Sequence, residues 1–327
     1  MKAVSLFSGG LDSLLAVCLI KDQGIEVVGV NFVSPFFGAE PANRKSAAQL
    51  GIEYHELDIG SEYMKVLKQP VYGYGKNFNP CIDCHGFMLN RAGQFMEDIG
   101  ASFLITGEVV GERPMSQSKP ALRRVEKLSG YPGLVLRPLS ARLLEPTIPE
   151  KEGWVDRGRL LDISGRSRSR QMQLAEHYGI KEYPTPAGGC LLTQENFSRR
   201  LRRVMSIKPE IAAAELEILK IGRHFYLNEG ELLVVGRNHS ENERLQQVAR
   251  DSDYLIKVTD RPGPLGLLRI FDDNQNSDLL PAASIVARYS DARDLDSTQV
   301  SVSRPDNRDP IILSVRPCRP EEVPTSV

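Results

Sequence analysis

Several features that would assign this sequence to a membrane or to an extracellular protein are absent. No run of about 18 uncharged apolar residues occurs among its 327 residues, so we expect no membrane-spanning helix. Met1 and Lys2 precede a short apolar stretch broken by two glycines, which is unlike a signal peptide. Five cysteines in a chain of this length do not predict a disulfide scaffold, and a cytoplasmic location is expected.

The sequence also lacks an excess of charge of either sign. The chain has 41 basic and 42 acidic residues, so any nucleic-acid surface has to come from local basic clusters. The length is enough for a substantial core and predicts two domains.

The first half alternates short apolar runs with amphipathic segments, which predicts an α/β fold with a doubly wound, mostly parallel sheet. The predicted strands are Ala3–Phe7, Val27–Phe32, Tyr54–Asp58, Phe103–Thr106 and Val135–Pro138. The predicted helices are Asp12–Asp22, Pro41–Leu50 and Phe87–Ile99, with two helical pieces within Trp154–Ile180.

The second half has a different pattern and predicts a smaller α+β domain. A basic amphipathic segment precedes residues 225–235, which alternate as in a single strand. We expect a catalytic domain over 1–195, a basic helical linker over 196–221, a second domain over 222–315 and a flexible tail over 316–327.

The stretch SGGLDS, residues 8–13, follows the first predicted strand and begins the first predicted helix. Gly9 and Gly10 let the backbone approach an anion, Ser8 and Ser13 add hydroxyl donors, and a helix N-terminus offers free N–H groups. No Gly-Lys-Ser/Thr follows and no G-x-G-x-x-G occurs here, which excludes the commoner nucleotide loops. Because an acid beside phosphates needs a divalent cation, Asp12 predicts Mg2+ bound with them.

This loop resembles the PP-loop of the ATP pyrophosphatases, which cleave ATP between the α and β phosphates and adenylate a substrate carbonyl. The resemblance implies that ATP is held by the loop residues and by the ends of two neighbouring strands. The ATP-binding residues it implies are Ser8, Gly9, Gly10, Asp12, Ser13, Asn31, Phe32, Thr106 and Gly107.

Three cysteines suggest which reaction follows. Cys81 and Cys84 have C-x-x-C spacing, and Cys190 lies in the glycine-flanked stretch PTPAGGCLLT. Three thiolates can hold three irons of a 4Fe-4S cluster and leave the fourth iron open to sulfide. A persulfide carried by one cysteine and resolved by another is an alternative. Zinc, with His85 as a further ligand, is a third reading of the same residues.

Residues 81–117 resemble the tRNA 4-thiouridine synthetases, which have a C-x-x-C, a helix, a strand, a Thr-Gly-Glu and a Ser-Gln. Here these are Thr106–Glu108 and Ser116–Gln117. NPCIDCH, with a later Gly-Cys, is also similar to the tRNA 2-thiouridylases. The resemblance covers about residues 1–195 and lacks the N-terminal RNA-binding region usual in the 4-thiouridine enzymes.

The second half resembles the NFACT RNA-binding domain through Val235–Asn238, Asn242 and Arg288–Ser290. Before it, four arginines cover one side of a predicted helix, and a density of this kind suits RNA phosphates. A further basic cluster, Arg166, Arg168 and Arg170, lies in the first half. The predicted RNA-binding residues are Arg199, Arg200, Arg202, Arg203, Arg237 and Asn238.

These observations predict an ATP-dependent tRNA sulfurtransferase that uses ATP, Mg2+ and a 4Fe-4S cluster, with 4-thiouridine slightly preferred to 2-thiouridine as the product. Its catalytic residues are Asp12, Cys81, Cys84 and Cys190. The expected partners are tRNA and a sulfur donor, either sulfide or a cysteine desulfurase; a homodimer is compatible with the sequence and no membrane is expected. The alternatives are a persulfide-based thiolase without a cluster, an adenylating amine ligase of the same superfamily and a non-catalytic RNA-binding protein.

Overall fold

A computed structural model describes residues 1–38, 41–183, 189–271, 277–306 and 309–327. The chain forms two compact units, Met1–Thr193 and Gln194–Val327. None of the helices within these described ranges is long and apolar enough to cross a membrane.

The first unit contains a five-stranded parallel sheet surrounded by helices, as predicted. Its strands are β1 Lys2–Leu6, β2 Glu26–Val33, β3 Glu53–Asp58, β4 Phe103–Thr106 and β5 Val135–Leu136. Its helices are α1 Leu11–Lys21, α2 Pro41–Gln49, α3 Gly60–Lys68, α4 Cys81–Asp98, α5 Lys119–Ser129, α6 Ile148–Lys151 and α7 Ser169–His177. Short 3-10 turns occur at Ala141–Leu143, Arg157–Arg159 and Leu191–Thr193.

The strand order β3-β2-β1-β4-β5 gives this sheet a topological switch point between β1 and β4. The chain passes from β1 outward to β2 and β3, then returns to the other side of β1 with β4. Ligands of open parallel sheets bind beyond the carboxyl ends of the strands at such a point. The SGGLDS loop follows β1 directly, so it lies at the switch point.

Buried apolar side chains hold α1 against this sheet. Leu14, Val17 and Ile20 of α1 share a core cluster with Phe103 and Ile105 of β4. All five are at most 2 % exposed. A helix anchored in this way has little freedom to move its N-terminal turn, which carries the loop.

The prediction from the sequence was wrong for three features of this unit. Helix α4 begins at Cys81 and not at Phe87, directly after Pro80 at the N-cap position, because a proline disfavours helical backbone in the residue before it. Helices α3 and α5 were not predicted. Within Trp154–Ile180 only α7 is an α-helix, and its companion is the single 3-10 turn Arg157–Arg159.

The second unit contains a six-stranded antiparallel sheet and, among its described residues, three α-helices. Its strands are β6 Arg223–Asn228, β7 Glu231–Val235, β8 Tyr254–Val258, β9 Gly266–Ile270, β10 Thr298–Ser303 and β11 Ile311–Val315, in the order β11-β10-β8-β9-β7-β6. Its helices are α8 Glu195–Ile207, α9 His239–Val248 and α10 Leu279–Arg288, with 3-10 segments at Ala213–Lys220 and Pro320–Glu322.

Three expectations for this half differ from the structure. Residues 225–235 form a hairpin of two strands, because Gly230 provides the turn between β6 and β7. The expected linker belongs to the second unit, since Phe197, Leu201 and Val204 of α8 are buried. The expected tail packs as well: Cys318 contacts the core cluster of this unit.

A buried histidine gives this unit a pH-dependent stability. His224 is fully buried, and its Nε2 lies 2.8 Å from the Ile221 carbonyl oxygen. Burial, aided by the Arg200 charge, lowers the pKa of His224 from 6.5 to about 3. Below pH about 6.5 the unfolded chain therefore gains a proton that the folded chain does not accept until pH about 3.

We therefore expect His224→Gln to weaken the pH dependence of stability. Between pH 7.5 and 5.5 the wild type should lose about 1 kcal/mol more unfolding free energy than this variant, because one proton is taken up on unfolding. Denaturant unfolding of the full chain at both pH values measures the difference. The control is His239→Gln, whose side chain is 89 % exposed. An equal pH response in wild type and His224→Gln would contradict the assignment.

Candidate active site

The SGGLDS loop turns tightly against α2. Gly9 has φ +69°, and a Cβ there would lie 2.2 Å from Asn43 Oδ1. Asn43 itself is buried. Only glycine meets both conditions, so the backbone at this position lies close to α2.

The first turn of α1 is available to an anion. Its N-cap residue, Gly10, provides no side-chain acceptor, and the first helical bond runs from the Leu14 N–H to the Gly10 carbonyl at 3.1 Å. Ser13 Oγ donates to the same carbonyl at 2.7 Å and lies 3.5 Å from Ser8 Oγ. Unpaired N–H groups and two hydroxyls at the start of an 11-residue helix form a phosphate-binding arrangement.

The end of β4 touches this turn through backbone alone. A Cβ on Gly107 would lie 2.5 Å from the carbonyl carbon of Asp12 and 2.5 Å from the nitrogen of Ser13. No side chain fits in that space. The residue after β4 is therefore in direct contact with the N-terminus of α1, as a shared nucleotide site requires.

Acidic and basic side chains meet at Asp12. Its Oδ2 lies 3.6 Å from Arg168 Nη2, and its buried Oδ1 has no hydrogen-bond partner among the described residues. Burial raises the pKa of Asp12, against the Arg168 charge. Burial and the charge of Asp12 also raise the pKa of Glu112. Two neighbouring carboxylates with raised pKa values suit a divalent cation, since it would favour the charged form of both.

Arg168 and Gln171 come from a part of the chain for which no ATP-binding role was predicted. Arg168 is the N-cap residue of α7, and Gln171 lies in the first turn of this helix. Gln171 is fully buried beside Asp12, but neither of its amide atoms makes a hydrogen bond of ordinary geometry within the described structure. Buried amides are rarely left in this state, so the arrangement indicates a ligand or bound water at this point. The sequence signal at this position is the basic cluster 166–170, whose pattern predicts only a surface for RNA.

Residues 106 and 108 connect the ATP side of the site to α4. Glu108 is buried and accepts hydrogen bonds from Arg137 Nε at 3.0 Å and Thr106 Oγ1 at 3.2 Å, and His85 Nδ1 lies 2.9 Å from its other oxygen. Burial raises the pKa of Glu108, but Arg137 and His85 outweigh it and hold the value at about 2. This contact engages Nδ1 of His85 and leaves Nε2 outside the network, so it does not exclude the zinc reading.

Two of the three cysteines lie on the first turn of α4. Cys81 is its first residue, and a spacing of three places Cys84 on the same helix face. Asn79 Nδ2 lies 3.1 Å from Cys81 Sγ. Cys84 is buried and hydrogen-bonds to the hydroxyl of Tyr63.

Cys190 approaches these two from the far end of the unit. The Leu191 N–H donates to the Phe36 carbonyl at 3.0 Å, and Asn77 Nδ2 donates to the Thr193 carbonyl at 2.6 Å. Residues 184–188 of the PTPAGGCLLT stretch lie outside the described residues. The structure thus ties the segment after Cys190 to the loop before α4.

The three sulfur atoms form one electrostatic group. Burial raises the pKa of Cys84, and the nearby Cys190 and Cys81 raise it further. Burial raises the pKa of Cys190 to about 11. In the described ranges no three His, Cys, Asp or Glu side chains converge as around a single metal ion. The thiols nevertheless lie close enough to affect one another's pKa values.

The other predicted site residues have varied surroundings. Asn31 and Phe32, at the end of β2, are buried, and Asn31 Nδ2 donates to the Gly38 carbonyl at 2.7 Å. A Cβ on Gly38, which has φ +101°, would lie 2.0 Å from the Phe32 carbonyl oxygen. The side chain of Asn31 is therefore used within the chain.

The predicted RNA-binding residues divide into two sets. Arg200 is used internally, since it donates to the carbonyls of Val327, Leu219 and Gly222 at 3.0–3.1 Å. Arg199 and Arg202 are exposed, while Arg203 lies 5.2 Å from the centre of the Tyr226 ring.

The remaining two lie before α9, beside a pocket described below. Arg237 Nε lies 3.0 Å from each carboxylate oxygen of Glu241. Asn238 caps α9 through the Glu241 N–H at 3.0 Å. Both residues therefore have local structural roles.

Two family models match the chain. Residues 1–142 match the model described as thiamine biosynthesis protein (ThiI), and residues 222–326 match the one described as NFACT protein RNA binding domain. The resemblance of the first part to tRNA thiouridine synthetases and of the last part to an RNA-binding domain is confirmed.

Curated relatives agree with the first match. A tRNA-specific 2-thiouridylase MnmA from Pelobacter propionicus is 34 % identical over 119 residues, or 33 % of either chain. A bifunctional protein NifU/MnmA from Rubrobacter xylanophilus is 28 % identical over 201 residues, which cover 56 % of this chain and 37 % of that protein. The chain thus spans about a third of the length of these relatives.

Among solved structures, a 4-thiouridine synthetase–RNA complex with bound ATP is 29 % identical to this chain. The similarity covers 43 % of this chain and 37 % of that one, with a TM-score of 0.36.

Proposed function

We propose that this chain, which joins a ThiI-like first part to an RNA-binding domain, is an ATP-dependent tRNA sulfurtransferase. The observation that carries this proposal is the presence in one unit of a phosphate-binding loop at the sheet's switch point and of three grouped cysteine thiols. The Glu108 network joins the two, because it links the end of β4 to His85 of α4. An adenylating site beside a thiol site suits replacement of oxygen by sulfur.

The first stage is activation of the substrate. The N-terminus of α1, with Ser8 and Ser13, would bind the phosphates of ATP, and Asp12 would hold Mg2+. The uridine carbonyl oxygen attacks the α-phosphorus, and the bond to pyrophosphate breaks. Positive groups around the leaving pyrophosphate stabilise the charge that develops on it.

The second stage replaces oxygen by sulfur. Sulfide, with its electron pair, attacks the activated carbon, and the carbon–oxygen bond breaks so that AMP leaves with the former carbonyl oxygen. Cys81, Cys84 and Cys190 would hold a 4Fe-4S cluster, which when bound supplies an open iron that presents sulfide. The buried surroundings of Cys84 exclude water, which would otherwise hydrolyse the adenylate.

The product we propose is 4-thiouridine in preference to 2-thiouridine. The match over residues 1–142 and the Thr-Gly-Glu and Ser-Gln motifs support it, whereas the two curated relatives described above include 2-thiouridylase in their function. The five free cysteines also suit a reducing cytoplasm.

Thiolation of a tRNA transcript tests the proposal. Wild-type protein prepared without oxygen, with ATP, Mg2+ and sulfide, is expected to release AMP and to form a thiouridine that chromatography and mass spectrometry identify as the 4- or 2-isomer. Asp12→Asn should abolish both products. AMP release with an amine acceptor and no sulfur incorporation would favour the amine ligase, and absence of ATP binding would favour the non-catalytic RNA-binding protein.

Arg168 is expected to contribute to ATP binding. In the ligand-free protein it serves as the counterion of Asp12; when Mg2+ takes that carboxylate, the guanidinium becomes available to a phosphate. Arg168→Gln should therefore weaken binding of a non-hydrolysable ATP analogue by about 10-fold, because a charge-assisted hydrogen bond is lost. Isothermal titration calorimetry in the presence of Mg2+ measures the change.

Arg170→Gln is the matched control for this prediction. Arg170 lies on the same helix and pairs with Asp162 at 2.8 Å, with half its side chain exposed. The same change there should leave the affinity within about twofold, as expected for an exposed ion pair. Equal affinities in the two variants would remove Arg168 from the ATP site.

A further inference from the structure

The second unit has a concave pocket of about 570 Å3. It lies between the start of β6, the loop that leads from β7 into α9, the loop 262–264 and the C-terminal end of α10. This volume is in the range of roughly 300–1,000 Å3 that small-ligand sites occupy.

The walls of this pocket are fixed by close backbone packing. A Cβ on Gly236 would lie 2.1 Å from Asn242 Oδ1, and a Cβ on Gly263 would lie 2.6 Å from Ser290 Cβ. Asn242 Oδ1 also accepts the Leu265 N–H at 3.1 Å, which joins two of the loops. The pocket is thus formed before any ligand arrives, and binding requires little ordering of these loops.

Its lining is strongly positive. Four arginines line it against one aspartate, Asp291. Arg237 pairs with Glu241 and Arg293 with Asp294, which leaves two arginines against Asp291 and a net positive lining. Those two are Arg223 and Arg288, neither of which has a salt bridge to a carboxylate in the described residues.

An aromatic side chain positions one of these two. The Arg223 guanidinium lies 4.9 Å from the centre of the Tyr289 ring, and that ring stacks on Phe225 with centroids 5.7 Å apart and planes at 26°. A guanidinium held over a ring keeps its N–H groups directed outward along its edge. Arg223 is therefore pre-oriented for a planar, two-oxygen acceptor.

The start of α9 adds to the positive electrostatic potential of the pocket. His239 begins this ten-residue helix at the pocket, after its N-cap residue Asn238. The partial positive charge of a helix N-terminus adds to that of the arginines. Helix and arginines together favour an anion at this pocket.

We infer that this pocket binds backbone phosphates of the RNA substrate. The inference rests on the proposed function and assigns RNA contact to Arg223 and Arg288 in place of the basic face of α8. All the lining residues fall within the 222–326 match, whereas α8 precedes it. Phosphate suits the unpaired guanidiniums better than a base does, because the Tyr289 ring is already stacked on Phe225 and covered by Arg223.

The experiment compares two double variants of the full-length protein that lose equal charge. Binding of an unmodified tRNA transcript is measured at several salt concentrations. Arg223→Gln with Arg288→Gln should weaken binding about 10-fold and lower the slope of log K against log salt by about 2, since two phosphate contacts are lost. Arg199→Gln with Arg202→Gln should change affinity by less than threefold.

Several outcomes would overturn the inference. One is that Arg223→Gln with Arg288→Gln keeps the wild-type affinity for tRNA and the wild-type salt slope, which would leave an acidic peptide as the alternative ligand. Another is that Arg199→Gln with Arg202→Gln loses more affinity than the pocket variant. If the Gln variant is not folded, Arg223→Lys with Arg288→Lys replaces it, and a wild-type affinity there overturns bidentate contact. Wild-type protein that binds no tRNA would refute the proposed function itself, so the two failures are distinguishable.

Discussion

Cys190→Ser is expected to bind ATP as the wild type does and to lose sulfur transfer by at least about 100-fold. Cys190 lies with Cys81 and Cys84 around Tyr63, whose pKa is raised by burial and further by all three thiols. The residues after Cys190 are anchored by two hydrogen bonds, from the Leu191 N–H to the Phe36 carbonyl and from the Asn77 side chain to the Thr193 carbonyl, so a serine changes only the sulfur atom. A lost sulfur ligand usually costs more than the 10- to 100-fold of a lost outer partner.

Two measurements separate the ways in which this cysteine could act. Iron and acid-labile sulfide are determined in anaerobically purified protein, and thiouridine formation is measured in the same samples. About four irons per chain in the wild type, with loss in Cys190→Ser, would support a 4Fe-4S cluster. Sulfur transfer without iron, together with a persulfide on one of the three cysteines, would support the persulfide thiolase.

Cys318→Ala is the control for this prediction. Cys318 lies in the second unit, where it packs partly buried against the apolar core. Its loss should lower stability slightly and leave iron content and activity unchanged. Retention of full sulfur transfer by Cys190→Ser, with the control also active, would exclude Cys190 from the reaction.

The sequence is sufficient to predict the core of the first unit, because its local signals agree with one another. Apolar runs such as Val27–Phe32 are bounded by polar turns, and each predicted strand occurs in the parallel sheet. The SGGLDS loop is recognisable since glycines, hydroxyls and an acid occur together between a strand and a helix. Local chemistry of this kind needs no knowledge of distant parts of the chain.

What the sequence does not predict depends on contacts between distant residues. Arg168 lies 156 positions after Asp12, and its role follows only from the packing of α7 against α1. Nothing in the sequence around Gln171 indicates that this residue is buried beside Asp12. Likewise, the four arginines of α8 look equivalent, yet Arg200 donates to three carbonyls and is unavailable to RNA.

The three residues of the Thr-Gly-Glu stretch contact two parts of the site, α4 and the start of α1. The side chains of Thr106 and Glu108 point toward Arg137 and α4. Gly107 has no side chain, and its backbone packs directly against the start of α1. Movement of this stretch would therefore displace the phosphate loop and the cysteine-bearing helix together. In the proposed reaction this connection would set the distance between the adenylate and the sulfur donor, and reactions of this kind depend on such positioning.

Gly107→Ala tests that connection and is expected to weaken ATP binding by about 100-fold. The added methyl carbon would lie 2.5 Å from backbone atoms of Asp12 and Ser13, so the start of α1 or the end of β4 has to move by about 1 Å. A shift of that size misaligns the N–H groups with the phosphates, and misplacement by about 1 Å typically costs 100-fold. Overpacking should also lower the unfolding free energy by about 1–3 kcal/mol. Calorimetry with an ATP analogue and denaturant unfolding measure the two effects.

Gly189→Ala is the matched control, because a Cβ there meets nothing within 4 Å among the described residues and its φ is not in the left-handed region. It should retain wild-type ATP affinity and stability. The two effects of Gly107→Ala also discriminate between a local and a global cause. If the variant is destabilised but binds the ATP analogue normally at temperatures where it is folded, Gly107 serves packing alone and the end of β4 is not part of the nucleotide site. If affinity falls while the protein remains folded, the contact between Gly107 and Asp12 is what aligns α1 with the phosphates.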